Sequence, residues 1–372
     1  MEHELWRQYR DQFPVTERWI YLHHAGVAPL CRRATEAMQG LADEAMRFGS
    51  VHYDRWLETY EGLRRSTARL INADPAEIAL VKNTSEGISV VATGLDWRPG
   101  DKVVGFREEF TANYFPWKRL EQAGVELRWL SVEDQLDRID QAARGARLVA
   151  ISFVQYLSGY RADLDAIGEI CRRRGALFVV DAIQGLGAFP LDVRRAGIHA
   201  LAADGHKWLL GPEGCGVLYI SREIQDAVRP VEFGWTNVAH YNDYASRDMT
   251  LRADAGRFEC GTLNTIGCYG LRAAIDFLLE VGIERIAPAV QALGDCIAAG
   301  VASKGYEVLS QRTPASGAGI VSFRKEGVDS RQVVRLLREK GIFAAPRQGW
   351  VRMSPHFYIS LEEINRALAE LP

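Results

Sequence analysis

Four short stretches of this chain carry side chains that could divide the work of holding one small charged ligand. Lys207 lies in "DGHKWLLGPEGCG" (204–216), followed by Trp208, Leu209 and Leu210. Apolar surroundings favour an uncharged amine, and a neutral lysine attacks carbonyl carbon to form a Schiff base. Taken singly, such a lysine is a solvated surface group beside a tight turn. Asp181 closes the apolar run "LFVVD" and precedes Ala182, Ile183 and Gln184. A carboxylate at the end of a buried strand needs a cation or a metal. No metal-like set of His, Asp and Cys accompanies it, which leaves a protonated heterocyclic nitrogen or a helix N-cap role. In "KNTSEGIS" (82–89), Thr84 and Ser85 follow "EIALV" and precede the apolar-periodic "GISVVATGL". A strand-to-helix turn with two hydroxyls and free N–H groups cradles phosphate; the plainer alternative is an N-cap box. In "FREEFTANYFPW" (106–117), Phe110 could cover the face of a flat ligand or simply pack in its loop.

Together these stretches, with Gln184 beside Asp181 and His206 beside Lys207, match the groups of pyridoxal 5'-phosphate: phosphate, ring nitrogen, phenolic oxygen, ring face and aldehyde. That cofactor is held by a lysine Schiff base with an Asp at the pyridinium nitrogen.

The elements that must position these residues are short β-rich runs: "KVVGF" (102–106), "VELRWL" (125–130), "RLVAISF" (147–153), "ALFVVDA" (176–182), "ALAAD" (200–204) and "GVLYIS" (216–221). Amphipathic segments lie between several of them. "LDAIGEICRRRG" (164–175) puts Leu164, Ile167, Ile170 and Cys171 on one helical face and ends in Gly. Strands alternating with helices predict a mostly parallel, doubly wound α/β sheet. Its ligand belongs beyond the carboxyl ends of the strands. Past residue 284 the pattern changes to a long helix (284–303), "AGIVSFR" (318–324), a helix over 329–340, strands at "GIFAAP" and "WVRMS", and a helix from 361. This predicts a large domain over 20–283 and a small α/β domain over 284–372, joined by residues 1–19.

The order "NTSEG", "EEFTANYFPW", "VVDAIQ", "DGHKWLLGPEG", "RFECGTLN", "VRMSPHFY" resembles the class V aminotransferase group of pyridoxal-phosphate enzymes, from "YLHHAGVAPL" (21–30) to 358. This group includes cysteine desulfurases, isopenicillin N epimerase-like proteins and C–S lyases. The resemblance implies fold type I, with a mostly parallel seven-stranded sheet in the large domain. It implies Lys207 as the Schiff-base lysine that also moves the Cα proton, and Asp181 at the ring nitrogen. Gln184 is expected at the phenolic oxygen, and Thr84, Ser85 and His206 at the phosphate. Phe110 is expected on the ring face, where cysteine desulfurases carry His. Thr262 would reach the phosphate of a partner subunit, which implies a homodimer. Arg352 would bind the substrate carboxylate. Asp204 stands where desulfurases often place a phosphate-binding Ser, so it is expected to hold a donor such as His206. His23 and His24 replace the family's usual Asn, Asp or Ser, and His24 is expected near the substrate. His52, Tyr156, Trp235 and the Arg347–Trp350 loop are further candidates for shaping specificity. Cysteine desulfurases carry a persulfide-forming Cys upstream of the carboxylate-binding Arg, but no cysteine follows Cys296. Cα deprotonation can lead to transamination, the main expectation, or to C–S cleavage or epimerisation. A non-catalytic cofactor-binding module is the expectation from outside the enzymes.

Composition agrees. A net charge of −3 over 372 residues gives no footprint for nucleic acid or an anionic membrane surface. No apolar run in the sequence reads as a bilayer span or a secretory leader, which places the chain in the cytoplasm by expectation. The six cysteines form no CxxC pair and read as reduced thiols, and no metal site is expected.

Overall fold

The computed structural model describes residues 4–132, 134–309 and 312–372. Seven strands form the central sheet: β1 (Ile78–Val81), β2 (Lys102–Phe106), β3 (Glu126–Leu130), β4 (Leu148–Ser152), β5 (Leu177–Asp181), β6 (Ala200–Asp204) and β7 (Gly216–Ile220). Their spatial order is β1-β7-β6-β5-β4-β2-β3. β7 runs antiparallel to both its neighbours, and every other neighbouring pair is parallel.

The strands are apolar on both sides because both sides are covered. Val149, Ile151, Phe178, Val180, Leu201 and Ala203 enter one core. The alternate residues Leu148, Ala150, Val179, Ala200 and Ala202 enter a second core on the opposite face. Helix Thr84–Gly94 lies against β6 at close range. A Cβ added to Gly87 would stand 2.7 Å from the Ala202 Cβ, so only glycine permits this approach.

The C-terminal part has its own sheet, ordered Ala345–Arg347, Trp350–Met353, Val321–Arg324, Glu307–Val308, antiparallel throughout. Helices Ile283–Ser303, Ser330–Glu339 and Leu361–Ala369 belong to it. The single strand expected at "GIFAAP" divides in two. Ile342–Phe343 pairs in parallel with Ile20–Tyr21, and Ala345–Arg347 forms the outer strand of the small sheet. Pro346 is tolerated there because an edge strand need not use every N–H. The N-terminal segment packs on the same part. Phe13 stacks on Tyr358 at 3.6 Å, and Arg10 bonds both Glu363 oxygens at 2.8 Å. Helix Ile283–Ser303 is long and apolar enough to cross a membrane by length and composition alone, contrary to the sequence expectation. One of its faces, with Ile286, Val290, Ile297 and Val301, is built into the core.

Candidate active site

Three neighbouring strands end at one place: β4 at Ser152, β5 at Asp181 and β6 at Asp204. Over these ends, between the large sheet and the hairpin of the small one, opens a cavity of about 580 Å³. Thr84, Ser85, Phe110, Asp181, Gln184, Asp204, His206, Lys207 and Arg352 all line it, although they come from positions spread over 268 residues of sequence (352 − 84).

The turn after β6 presents Lys207. The Leu210 N–H donates to the Lys207 carbonyl at 3.1 Å, and the Gly211 N–H donates to the Gly205 carbonyl at 2.9 Å. This tight closure puts the fully buried Leu210 at φ 59°, a left-handed conformation that costs a non-glycine residue about 1–2 kcal/mol. Burial pushes the Lys207 amine down to about 8. Asp181 and Asp204 oppose that shift, while Arg352 and Arg347 add to it. The amine also stands 5.7 Å from the centre of the Phe110 ring.

Asp181 is buried, and its carboxylate accepts the Ile183 N–H at 3.1 Å. Burial raises it to about 6, with the Ile183 N–H and Lys207 pulling the other way. Gln184 is clamped at both ends of its amide. Its Nε2 donates to the Ala25 carbonyl at 3.0 Å, and its Oε1 accepts the Trp208 indole N–H at 2.9 Å. His206 Nδ1 stands 3.1 Å from Asp204 Oδ1, close enough to pair but out of line for a hydrogen bond. The Asp204 N–H donates to Thr84 Oγ1 at 3.0 Å, tying the helix start to the lysine turn.

The capping role weighed for Thr84 and Ser85 belongs to Asn83, whose side chain accepts the Glu86 N–H at 2.9 Å. The two hydroxyls are therefore not consumed as caps at the head of an 11-residue helix. Arg352 is buried. Its Nη1 donates to the Tyr156 carbonyl at 2.6 Å, its Nε has no partner, and burial and Arg347 depress it to about 9. A buried guanidinium with a free N–H is suited to a carboxylate.

Two expected residues lie elsewhere. His24 does not line the cavity. It is fully buried, with Nδ1 2.8 Å from the Ser354 carbonyl and Nε2 2.6 Å from the Tyr358 hydroxyl, which corrects its assignment as a substrate contact. Thr262 is exposed and lies outside the cavity of its own chain. Of the specificity candidates, Tyr156 and Arg347 line the cavity, while His52, Trp235 and Trp350 do not. Gln348 of the Arg347–Trp350 loop lines it as well, and so do Glu109 and Asn83, which went unrecognised in the sequence. Glu109 had a signal: an acidic residue beside the aromatic expected to cover the ligand.

The residues present fit pyridoxal phosphate. A buried carboxylate, a lysine whose amine is depressed to about 8, a helix start with two hydroxyls and the unbonded Asp204 and His206 atoms share one cavity. Among the described residues no cluster could hold a metal ion.

Known proteins agree with this geometry. The profile of the aminotransferase class-V family matches residues 20–358. A probable cysteine desulfurase of Pyrococcus abyssi is 33% identical over 97% of this chain and 96% of its own. The apo structure of a cysteine desulfurase from Thermococcus onnurineus superposes with a TM-score of 0.90, at 29% identity, over 98% of this chain and 96% of its own. C-DES, described as a cystine C–S lyase, is similar in two structures, each with a TM-score of 0.90 and 25% identity. One carries glycine linked to its pyridoxal-phosphate cofactor and covers 97% of this chain; the other holds cysteine persulfide and covers 96%. Each match covers 98% of the C-DES chain.

Proposed function

Because the chain belongs to the aminotransferase class-V family of fold type I enzymes, whose cofactor is pyridoxal 5'-phosphate, we propose that it is a C–S lyase acting on cystine or a related cysteine derivative. One observation carries this reading. Where cysteine desulfurases carry their sulfur-accepting cysteine, this chain has a two-residue turn. Gln348 and Gly349 sit at φ 48° and 85°, and Arg347 pairs directly with Trp350. Positive φ at both positions is the signature of a tight hairpin, which leaves no loop to carry a thiol. No cysteine lines the cavity. Cys31, Cys171, Cys215 and Cys268 are buried elsewhere. The half-buried Cys260 and Cys296 also lie outside the cavity, so sulfur released at the substrate Cβ meets no cysteine there and leaves with the substrate fragment.

The residues have distinct tasks. Arg352 binds the substrate carboxylate through its free Nε–H and so fixes which face of Cα meets Lys207. Lys207, with its amine depressed to about 8, exists partly as the free base near neutrality and removes the Cα proton. Asp181 keeps a negative charge at the ring nitrogen. Gln184 would hydrogen-bond the phenolic oxygen through its remaining N–H, and Thr84, Ser85 and His206 would hold the phosphate. Phe110 closes over the ring face. The bound cofactor supplies the electron sink that makes the Cα proton acidic. The Cβ–S bond then breaks with its electron pair on sulfur, and hydrolysis of the three-carbon remainder gives pyruvate and ammonia. In the same reading a second copy of the chain completes the phosphate site through Thr262.

Transamination is the competing outcome from the same first step, and an amino-acid panel separates the two. With the lyase, sulfur-bearing amino acids give pyruvate and ammonia while the cofactor's absorbance persists. Conversion of the cofactor to its amine form by many amino acids, with matching keto acids, would establish transamination instead.

A further inference from the structure

A second carboxylate stands beside Asp181. Glu109 is buried and lines the same cavity. Both of its oxygens engage Ser152: Oε1 accepts the Ser152 N–H at 2.6 Å, and Oε2 lies in a short hydrogen bond with the Ser152 hydroxyl. Ser152 is the register partner of Asp181 across β4 and β5, so the sheet itself brings the two carboxyls together. Their hydrogen bonds come from Ser152 and from the Ile183 N–H, not from a cationic side chain. Lys207 faces Asp181, and Asp204, His206, Arg347 and Arg352 line the remainder of the cavity. Two adjacent buried carboxylates without a paired cation do not both ionise; one of them keeps a proton.

We propose that Glu109 is a positioning residue that carries a proton through the working pH range, so that Asp181 is the single negative charge beneath the cofactor's ring nitrogen. The proton stays in place. Oε1 accepts from the Ser152 backbone N–H, and the proton is held on the carboxyl beside the short hydrogen bond between Oε2 and the Ser152 hydroxyl. Physical asymmetry selects Glu109 over Asp181 for this role. Burial and the Asp181 charge together raise Glu109 to about 8, against the pull of Ser152 and the nearby Asn113 amide. Asp181 rises only to about 6, because the Ile183 N–H and, after it, Lys207 favour its anion. The proposal rests on the cofactor site of the family and is indifferent to which substrate bond breaks.

Isotope-edited infrared spectroscopy of the purified holoenzyme, carrying carboxyl-labelled glutamate, tests this directly. The expected result is a protonated-acid carbonyl band at pH 7 that Glu109→Gln removes. The cofactor-free protein should lose that band with a midpoint near pH 8. Absence of the band in wild-type protein at pH 7 would overturn the proposal whatever reaction the enzyme performs. If Glu109→Gln does not fold, Ser152→Ala keeps the carboxyl but removes its hydroxyl partner. The band should then shift, and an unmoved band counts against the assignment. Urea denaturation gives a second readout. A raised acid stabilises the fold fully below its unfolded value of 4.5 and loses that contribution as pH rises to about 8. Relative to Glu109→Gln, the wild-type folding constant should fall about tenfold per pH unit across that window. Parallel profiles would show that Glu109 carries no such proton.

Discussion

The floor and the rim of the cavity are built in different ways. The floor residues Thr84, Asp181, Gln184, Asp204, His206 and Lys207 stand at or just after strand ends, and their backbones are set by the central sheet. The rim joins Ala25 and Gly26 to Phe110, Tyr156 and the hairpin around Gln348. Its supports cross nearly the whole chain: His24 meets Tyr358 across 334 positions, and Arg352 meets Tyr156 across 196. Thr84, Asp181, Gln184 and Asp204 of the floor are buried, whereas Phe110 is 46% exposed. This contrast teaches where each kind of chemistry resides. The floor serves any reaction that starts by removing a Cα proton. In the proposed C–S lyase reading, the rim decides which substrate enters and where its sulfur goes.

Perturbing the floor should abolish chemistry, and perturbing the rim should only redirect or weaken it. The largest effect belongs to Lys207→Ala, which should lower turnover by about 10³-fold or more and remove the lysine-bound cofactor absorbance. A turnover loss no greater than that of a rim variant would break the comparison. Arg352 joins floor to rim. Arg352→Lys keeps the charge but loses the planar fork, and should reduce kcat/KM by about 10–100-fold, chiefly through KM. Steady-state kinetics checks the split; a loss confined to kcat would place Arg352 with the floor.

The pH dependence of cofactor attachment sharpens the account of the floor. Burial lowers the Lys207 amine to about 8, and only the free base attacks the aldehyde. Loading of cofactor-free protein, followed by absorbance, should slow by about tenfold for each pH unit below 8 and level off above it. A rate that keeps rising about tenfold per pH unit well above pH 8 would place the amine in solvent. The smallest effect is expected at the rim tip. Gln348 Nε2 donates to the Tyr156 hydroxyl at 2.9 Å. Gln348→Ala should cost about 1 kcal/mol or less, a change of roughly fivefold or less in kcat/KM with little change in melting temperature.

The same contrast governs what the sequence discloses. Asp181, Gln184, His206 and Lys207 were legible because each follows an apolar strand, and strand ends are local features. The alternation of Leu148, Val149, Ala150 and Ile151 likewise announces a sheet covered on both faces. Two things were not legible. Asn83 captured the cap because its side chain reaches the Glu86 N–H, a choice among three adjacent polar residues that composition does not settle. His24 looks like a site residue in "YLHHAG", but strand Ile20–Tyr21 pairs with Ile342–Phe343 and turns the ring toward Ser354 and Tyr358. Glu109 gains its meaning only from the register that sets Ser152 against Asp181.

The central claim is that this cavity cleaves a C–S bond without storing sulfur on the protein. Incubation with L-cystine, followed by joint measurement of the three-carbon product and of the intact protein mass, tests it most directly. The account predicts pyruvate and ammonia in equal amounts, a small-molecule persulfide, and an unchanged protein mass. Alanine accompanied by protein carrying added sulfur would contradict it.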